Sequence, residues 1–303
     1  MKRIYLLGSL NMDLTIRAPY QPESGETLKG SDFMITPGGK GANQACACAK
    51  LGGQILMSGC VGKDEFGDRL LAGLSSVGAD VTRVRRTERN TGVAVITVID
   101  GDNRIILDEG ANGEVCEEDA LRLLSDAEAG DFFMTQLENP IPAVGAALRI
   151  AKERGLFTVF NPAPANAKAR DFVGYADLIT PNRKELRLMS GKDGIEEGCE
   201  ELLRLGAGAV LVTLGSEGSL YVSKDKTFRG PCIDVGKAID TTAAGDTFCG
   251  ALTVRLAEGC DIEEAVGFAA LCSGIAVTRR GAQTSIPDRK QADALWETRK
   301  KQV

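Results

Sequence analysis

The chain has 303 residues, and its 36 lysines and arginines against 42 aspartates and glutamates give a net charge of −6. This acidic balance argues against a nucleic-acid-binding protein, because phosphate backbones require a concentrated positive surface. The sequence contains no histidine, so Ser-His-Asp and Cys-His catalysis and histidine-containing zinc sites are excluded. Acid–base chemistry therefore falls to carboxylates, lysine, tyrosine or a thiol.

The first residues indicate a cytoplasmic protein that does not contact a membrane. No run of the sequence approaches the roughly 18 uninterrupted apolar residues of a membrane span. The first apolar stretch reaches the polar Ser9 and Asn11 too soon for a signal peptide.

The nine cysteines form no Cys-x-x-Cys pair, and we expect them to be reduced and mostly buried.

Short apolar runs alternate with helical patterns along the chain. This alternation is typical of a mostly parallel sheet with helices on both faces. One helix is predicted between a capping Asp64 and Gly78, because apolar residues recur there at spacings of three and four. The predicted strands are residues 4–7, 55–57, 131–134, 158–160, 178–179 and 209–213.

Two segments interrupt the alternation of strands and helices. Residues 15–34 are extended and rich in turn residues, and residues 91–107 place β-branched runs on both sides of a polar turn at residues 100–103. Together they could form a small β-sheet at one edge of the main domain. Such a sheet serves as a lid over a crevice or as a structural flap, and the pattern alone does not distinguish these uses.

Polar residues follow the first predicted strand, within residues 8–13. Segments that leave the carboxyl ends of parallel strands line the binding crevice of such sheets. Asn11 and Asp13 are therefore expected where the hydroxyls of a polyol could be recognised. A plain Asx turn is the alternative interpretation.

A glycine-rich turn at residues 37–45 opens a predicted helix of small residues that ends at Gly52 and Gly53. Its backbone N–H groups could face a ligand, and Asn43 offers a donor and an acceptor suited to adjacent sugar hydroxyls. Neither the P-loop pattern nor G-x-G-x-x-G is present. Glycine-rich turns are also common in ordinary loops, so this motif alone does not decide the function.

The most informative motif is DTTAAGDTFCG at residues 240–250, which leads into an apolar helix ending at Gly259. Small residues at the start of a helix let backbone N–H groups approach an anion, which makes residues 243–245 a candidate phosphate cradle. Asp246 could accept the proton of a hydroxyl that attacks phosphorus. The alternative is that Asp246 only caps the helix and Gly245 only permits a tight turn.

Polar residues and glycines recur at the ends of other predicted strands. Each is more simply explained as structural, but their recurrence at successive strand ends indicates a common crevice. These residues are Glu138, Asn182, Glu185, Gly215 and Gly218.

These motifs together resemble the ribokinase-like (PfkB) family of carbohydrate kinases, over nearly the whole chain. The resemblance implies a single Rossmann-like, three-layer α/β domain spanning residues 1–303, with a mostly parallel central sheet and a small β-sheet lid at about residues 15–34 and 91–107. It also implies transfer of the γ-phosphoryl group of MgATP to the 5-hydroxyl of D-ribose. The matching segments are residues 8–14, 38–45, 136–140, 161–165, 180–182, 213–218, 240–248 and 277–287.

The resemblance implies roles for individual residues. Asp246 would be the catalytic base and a contact of the sugar, next to an anion hole formed by Ala243, Ala244 and Gly245. The other implied sugar contacts are Asn11, Asp13, Gly39, Lys40, Asn43 and Glu138, beneath lid residues Ala94, Ile96 and Leu107. The implied nucleotide contacts are Asn182, Thr213, Gly215, Gly218 and Gly245, and Asn182 with Glu185 would organise Mg²⁺ and phosphate. A site for K⁺ would comprise Asp240, Thr242, Ala276, Arg279, Gly281 and Ser285.

The resemblance also implies a homodimer that forms through the lid, because an unpaired strand edge invites a partner. One alternative is another kinase of the family, acting on deoxyribose, a ketose or a nucleoside, since only the lining near Met12, Ala94 and Ile96 would differ. A sugar-binding regulator without activity would lack the base, the anion hole or the glycine-rich turn, and this sequence has all three. A dinucleotide oxidoreductase is disfavoured because its glycine fingerprint is absent.

Overall fold

A large β-sheet runs through the computed structural model, which describes residues 1–300. In this part of the chain the sheet has nine strands, and every neighbouring pair is parallel except the two pairs made by β12. The predicted mostly parallel sheet is therefore confirmed. In sheet order the strands are β13 (Thr227–Gly230), β12 (Ser219–Ser223), β11 (Ala209–Thr213), β10 (Leu178–Ile179), β9 (Phe157–Phe160), β8 (Phe132–Thr135), β1 (Ile4–Leu7), β4 (Ile55–Gly62) and β5 (Asp80–Thr87).

Helices cover both faces of this sheet. Alternate residues of β1 enter two separate apolar cores, Ile4 and Leu6 on one face and Tyr5 and Leu7 on the other. The predicted three-layer α/β fold is confirmed by this arrangement. The helices are α1 (Lys40–Lys50), α2 (Glu65–Ser76), α3 (Glu117–Leu123), α4 (Ile141–Glu153), α5 (Arg183–Ser190), α6 (Ile195–Arg204), α7 (Ala244–Ala257), α8 (Ile262–Val277) and α9 (Arg289–Lys300), with short 3₁₀ segments at Gly110–Glu114, Ala167–Tyr175 and Gly215–Glu217.

The local sequence explains where the predicted helices begin. Helix α2 starts after Asp64, whose Oδ1 accepts a hydrogen bond from the Gly67 amide at 2.8 Å, as the capping pattern predicts. Helix α7 is buried on most of its circumference because it lies between α1 and α8. A Cβ atom on Gly250 would lie 2.6 Å from the Cβ of Ala47, so a glycine there allows α1 and α7 to approach closely.

A second sheet of four strands lies beside the first in the described residues. Its order is β3 (Ser31–Gly38), β2 (Asn11–Arg17), β6 (Gly92–Ile99) and β7 (Asp102–Asp108). The sequence places extended structure at residues 15–34, but the strands are residues 11–17 and 31–38, joined by residues 18–30. Asn11 and Asp13 therefore lie on a strand, and the alternative interpretation of an Asx turn is wrong.

The hairpin of β6 and β7 has a tighter turn than the sequence predicts. Asp100 and Gly101 both have positive φ angles, 53° and 85°, which is the backbone of a two-residue hairpin turn. Asp102 and Asn103 already belong to β7.

No helix of the described residues is long and apolar enough to span a membrane.

The cysteines are distributed as predicted, since six of the nine are buried and Cys232 is exposed.

Candidate active site

The amino terminus of α1 packs against the connection between β1 and β2. Gly39 has a φ of 88°, and a Cβ atom there would lie 2.7 Å from the amide nitrogen of Asn11, so only glycine fits this approach. The Oε2 of Glu138 accepts hydrogen bonds from Ser9 Oγ at 2.6 Å and from the Lys40 amide at 2.9 Å. Glu138 therefore connects the segment after β8 to the first turn of α1 through hydrogen bonds.

Asn11 is held by a residue that the sequence analysis does not single out. Its Oδ1 accepts a hydrogen bond from Asn112 Nδ2 at 2.7 Å. Asn112 also bonds both the amide and the carbonyl of Leu10, at 2.9 and 3.0 Å. The orientation of the buried Asn11 side chain is therefore set by a residue about a hundred positions away along the chain.

Asp246 lies in the first turn of α7 and is only 7% exposed. Its Oδ2 accepts a hydrogen bond from Asn43 Nδ2 at 3.0 Å, and its Oδ1 accepts one from Gln44 Nε2 at 3.1 Å. The helix has no side-chain cap at Ala243. The Asp246 carboxylate is thus turned towards α1, and this geometry disfavours the interpretation of Asp246 as a helix cap.

The start of α7 carries the small residues of the predicted phosphate cradle. Ala243 has left-handed backbone angles, φ 58° and ψ 12°, which are unusual for a residue with a Cβ atom. Gly245 is exposed, and a Cβ atom built on it would meet nothing within 4 Å. The Ala244 amide donates to the Thr241 carbonyl at 3.2 Å, and the Ala244 carbonyl accepts from Ser273 Oγ at 3.0 Å.

Several charged groups meet between α1, β2 and α7. Burial raises the pKa of Asp13 to about 7, and the charges of Glu138 and Asp246 add to that effect. Burial alone would lower the pKa of Lys40, but the negative charges of Asp246, Glu138 and Glu185 raise it above its ordinary value. Lys40 therefore remains a cation among four carboxyl groups.

A nearby thiol does not compete with these carboxylates for acid–base chemistry. Burial raises the pKa of Cys249 to about 12, so it is protonated at neutral pH.

The register of the small sheet puts the predicted lid residues on one face. Asp13 pairs with Ala94, which pairs in turn with Leu107, and paired residues project to the same side of a sheet. Ile96 lies two positions from Ala94 and so shares this face. The opposite face carries Leu14, which packs against the main core.

The predicted nucleotide residues lie at the ends of β10 and β11. Asn182 caps α5 reciprocally: its Oδ1 accepts from the Glu185 amide at 2.9 Å, and the two oxygens of Glu185 accept from Asn182 N and Nδ2, both at 2.8 Å. Asn182 also forms a parallel β-bridge with Thr213. Gly215 and Gly218 form the turn that follows, closed by a 3.1 Å bond from the Gly218 amide to the Gly215 carbonyl.

The residues of the predicted monovalent cation site come from the loop before α7, the last turn of α8 and the loop that follows α8. The Oδ1 of Asp240 accepts hydrogen bonds from Thr242 N and Oγ1, at 2.9 and 2.6 Å, and its Oδ2 accepts one from the Gly281 amide at 2.9 Å. Burial would raise the pKa of Asp240, but these bonds hold it below its ordinary value.

Main-chain contacts complete this cluster. The Arg279 amide donates to the Ala276 carbonyl at 3.0 Å. Its guanidinium Nη1 lies 3.5 Å from the Ser285 carbonyl oxygen.

Residues 1–289 match the sequence profile of pfkB family carbohydrate kinases. The chain belongs to this family. The ribokinase of Schizosaccharomyces pombe is 38% identical, and the alignment covers 99% of each chain. The crystal structure of the ribokinase of Thermotoga maritima matches with a TM-score of 0.90 at 37% identity, covering 98% of this chain and 100% of that one.

A second structure, of Arabidopsis thaliana ribokinase complexed with ribose and ATP, matches with a TM-score of 0.88 at 30% identity, covering 97% and 98% of the two chains. This pfkB family chain is therefore a sugar kinase of the ribokinase type. The predicted family and enzyme class are both confirmed.

Three side chains of this pfkB family kinase are placed in the site without having been predicted. Ser9 bonds Glu138, Asn112 orients Asn11, and Gln44 bonds Asp246. Ser9 and Gln44 lie inside the motifs at residues 8–13 and 37–45, so their position in those motifs is a usable signal. Asn112 follows the hairpin of β6 and β7, and nothing in its local sequence indicates its partner.

Proposed function

We propose that the protein transfers the γ-phosphoryl group of ATP to the 5-hydroxyl of D-ribose, with Asp246 as the catalytic base. The observation that carries the proposal is the buried Asp246 carboxylate, held by two side-chain amides directly beside the open amino terminus of α7. The ribose and ATP bound to the Arabidopsis relative support this choice of substrates.

In the proposed reaction Asp246 removes the proton of the sugar hydroxyl as its oxygen attacks the γ-phosphorus. The new oxygen–phosphorus bond forms while the bond to the bridging oxygen breaks, and the electron pair leaves with ADP. The proton on Asp246 passes to solvent when the products leave. Backbone amides of Ala243, Ala244 and Gly245 stabilise the negative charge on the transferring group, because the start of a helix directs its N–H groups at an anion. The Ala244 amide would exchange its 3.2 Å bond to the Thr241 carbonyl for a phosphate oxygen.

Ribose is proposed to bind between α1 and the small sheet. The Oδ1 of Asn43 is buried and has no hydrogen-bond partner among the described residues, so a sugar hydroxyl would satisfy it. Carboxylates accept hydrogen bonds from sugar hydroxyls, and backbone N–H groups donate to sugar oxygens. The proposed contacts are Asn11, Asp13, Gly39, Lys40, Asn43 and Glu138, with Ala94, Ile96 and Leu107 as a lid that excludes water.

ATP is proposed to enter as its magnesium complex, with Asn182, Thr213, Gly215, Gly218 and Gly245 as its contacts. The site has one lysine among four carboxyl groups, so a bare triphosphate would be repelled. Among the described residues no three Cys, Asp or Glu side chains form a metal-binding group, so the phosphates would supply most ligands of Mg²⁺. When bound, Mg²⁺ would neutralise phosphate charge, and Asn182 with Glu185 would organise that complex.

The loops around Asp240 and Gly281 fit a monovalent cation. Their chemistry is that of carbonyl oxygens and one ionised carboxylate, which suits a hard ion such as K⁺. When bound, K⁺ would add positive charge near the start of α7. The residues proposed to hold it are Asp240, Thr242, Ala276, Arg279, Gly281 and Ser285.

We also infer that two copies of the chain associate through the small sheet. Its edge strand β7 exposes Ile105 and Ile106 at 60% and 75%, and Val95 beside it on β6 is 42% exposed. Unpaired strand edges with apolar side chains favour association.

The decisive experiment replaces Asp246 by asparagine, which keeps the shape of the side chain and removes its basicity. We expect kcat to fall by about 10²–10⁴-fold, the usual effect of losing a general base, while the thermal melt stays close to that of the original protein. Asp261→Asn is the matched control, because Asp261 caps α8 outside the site. Near-normal turnover of Asp246→Asn would exclude Asp246 as the base.

The sugar is tested by ADP release with MgATP and a panel of ribose, deoxyribose, fructose, other ketoses and nucleosides, with and without K⁺. Ribose is expected to give the highest kcat/KM, and K⁺ to raise it. A higher kcat/KM for another sugar would overturn the assignment of ribose but leave the proposed chemistry in place.

A further inference from the structure

Three buried amide side chains connect the sheet to Asp246. Gln136 Nε2 donates to Gln44 Oε1 at 2.6 Å, and Gln44 Nε2 donates to Asn161 Oδ1 at 3.2 Å as well as to Asp246 Oδ1 at 3.1 Å. Asn161 Nδ2 then donates to the main-chain carbonyl of Thr180 at 2.8 Å. These residues follow the ends of β8 and β9 or lie in α1, so the chain of bonds crosses beneath the proposed site.

The main chain fixes the direction of every bond in this series. The Thr180 carbonyl can only accept, so the amide nitrogen of Asn161 must face it and the Asn161 oxygen must face Gln44. The Gln44 nitrogen then has one N–H for Asn161 and one for Asp246. Its oxygen receives Gln136, so Gln44 is bonded at both ends and is completely buried.

Gln44 differs from its neighbour Asn43 in the hydrogen bonds that it can still make. Asn43 bonds Asp246 Oδ2 but keeps an unpartnered buried oxygen among the described residues, so it can serve a ligand. Both donors of Gln44 are already used within the protein. Its side chain is therefore available to Asp246 and not to the sugar.

We propose that Gln44 is a positioning residue that holds the Asp246 carboxylate through Oδ1, opposite the Oδ2 that Asn43 contacts, and so fixes the orientation in which the base meets the sugar hydroxyl. This inference rests on the proposed role of Asp246 as the base. The rigid series from Thr180 to Gln44 limits rotation of the carboxylate, because any turn of Asp246 would leave a buried N–H unpaired. A base held in this way meets the sugar hydroxyl at one distance and angle.

The test is a double-mutant cycle between Gln44 and Asp246. Gln44→Met has a similar shape but no donor, and we expect it to lower kcat by about 10- to 100-fold, the scale of a misplaced reacting group, with the sugar KM changed less than about 3-fold. In the Asp246→Asn background the same change should alter kcat by less than about 3-fold, because the base is already lost. Equal factors in both backgrounds would overturn the proposal.

Two further variants keep the test decisive. Thr253→Val removes a buried hydroxyl of α7 that bonds the Cys249 carbonyl at 2.9 Å, and its kcat should stay within about 2-fold of the original protein. If Gln44→Met fails to fold, Gln136→Met loosens Gln44 and leaves both Asp246 bonds; it should lower kcat only when Asp246 is present.

The outcomes separate the two proposals. Normal turnover of Asp246→Asn would show that Asp246 is not the catalytic base. A large loss of kcat in Asp246→Asn together with a normal kcat in Gln44→Met would overturn only the positioning role of Gln44.

Discussion

Asp13 is a carboxyl group whose surroundings oppose its ionisation. It lies on β2 between the backbone of β3 and the carboxylates of Glu138 and Asp246, and burial is the largest cause that raises its pKa to about 7. At neutral pH the ligand-free protein therefore holds a mixture of protonated and ionised Asp13. Sugar hydroxyls that donate to its oxygens would favour the ionised form.

This raised pKa predicts a specific dependence of stability on pH. Between the ordinary pKa near 3.8 and the folded value of about 7, the folded protein keeps a proton that the unfolded chain has lost. The contribution of Asp13 to the free energy of unfolding is thus complete below pH 3.8 and falls as pH rises through 7. Relative to the original protein, Asp13→Asn should therefore gain stability by about 1.4 kcal/mol for each pH unit between pH 5 and 7, and the gain should level off above pH 7.

Urea unfolding at pH 5, 6, 7 and 8 measures this difference. Asp225→Asn is the control, since Asp225 is exposed in the turn between β12 and β13, and its stability should follow that of the original protein at each pH. Parallel curves for Asp13→Asn and the original protein would show that Asp13 titrates normally.

Single residues differ in how far the sequence could predict them. Asp246, Asn43 and Glu138 stand in motifs whose residue types indicate their chemistry. Asn112 has no such signal, because its bonds to Leu10 and Asn11 exist only once the chain has folded. A lone buried amide has no periodicity, so its partner is determined by tertiary structure alone.

Helix α5 joins a structural cap to the proposed nucleotide site. Asn182 and Glu185 satisfy each other's backbone amides at its first turn, and Asn182 also bridges to Thr213. Burial raises the pKa of Glu185, while the Asn182 amide acts in the opposite direction. Asn182 therefore both caps the start of α5 and faces the end of β11.

Removing this cap should affect both stability and nucleotide binding. Asn182→Ala is expected to lower the free energy of unfolding by about 1 kcal/mol, the usual value of an N-cap, and to raise the KM for ATP several-fold. Asn166→Ala removes the cap of the Ala167–Tyr175 segment, and should destabilise the protein without changing the KM for ATP. An unchanged KM in Asn182→Ala would contradict the nucleotide role.

The elements that the sequence missed share a physical reason. The predicted strands are continuous apolar runs, which mark strands buried on both faces. Strand β5 reads DVTRVRRT, with arginines on an edge strand that is half exposed, so its pattern resembles a polar segment. In β2, Met12 and Leu14 alternate with Asn11 and Asp13, a period-two pattern whose polar half faces the proposed site.

At the scale of the whole molecule, the edge strand of the small sheet is far more exposed than the central strands of the large sheet. Every residue of β7 is exposed, whereas β1 and β8 are entirely buried. The lid face carries Asp13 and Ala94, so the sheet belongs both to the proposed sugar site and to the protein surface. An exposed apolar edge strand makes a single copy of the chain prone to aggregation, because its unpaired backbone can pair with any other strand.

A second copy of the chain would cover this edge, and Ile106→Lys tests that arrangement. Ile106 is 75% exposed beside Val95, so a lysine there fits a free surface but places a charge in a dimer interface. Light scattering at micromolar concentration should give the mass of two chains for the original protein and of one chain for Ile106→Lys. Leu295→Lys, at an exposed apolar position on α9, should remain a dimer. A single-chain mass for the original protein would show that β7 remains uncovered in solution.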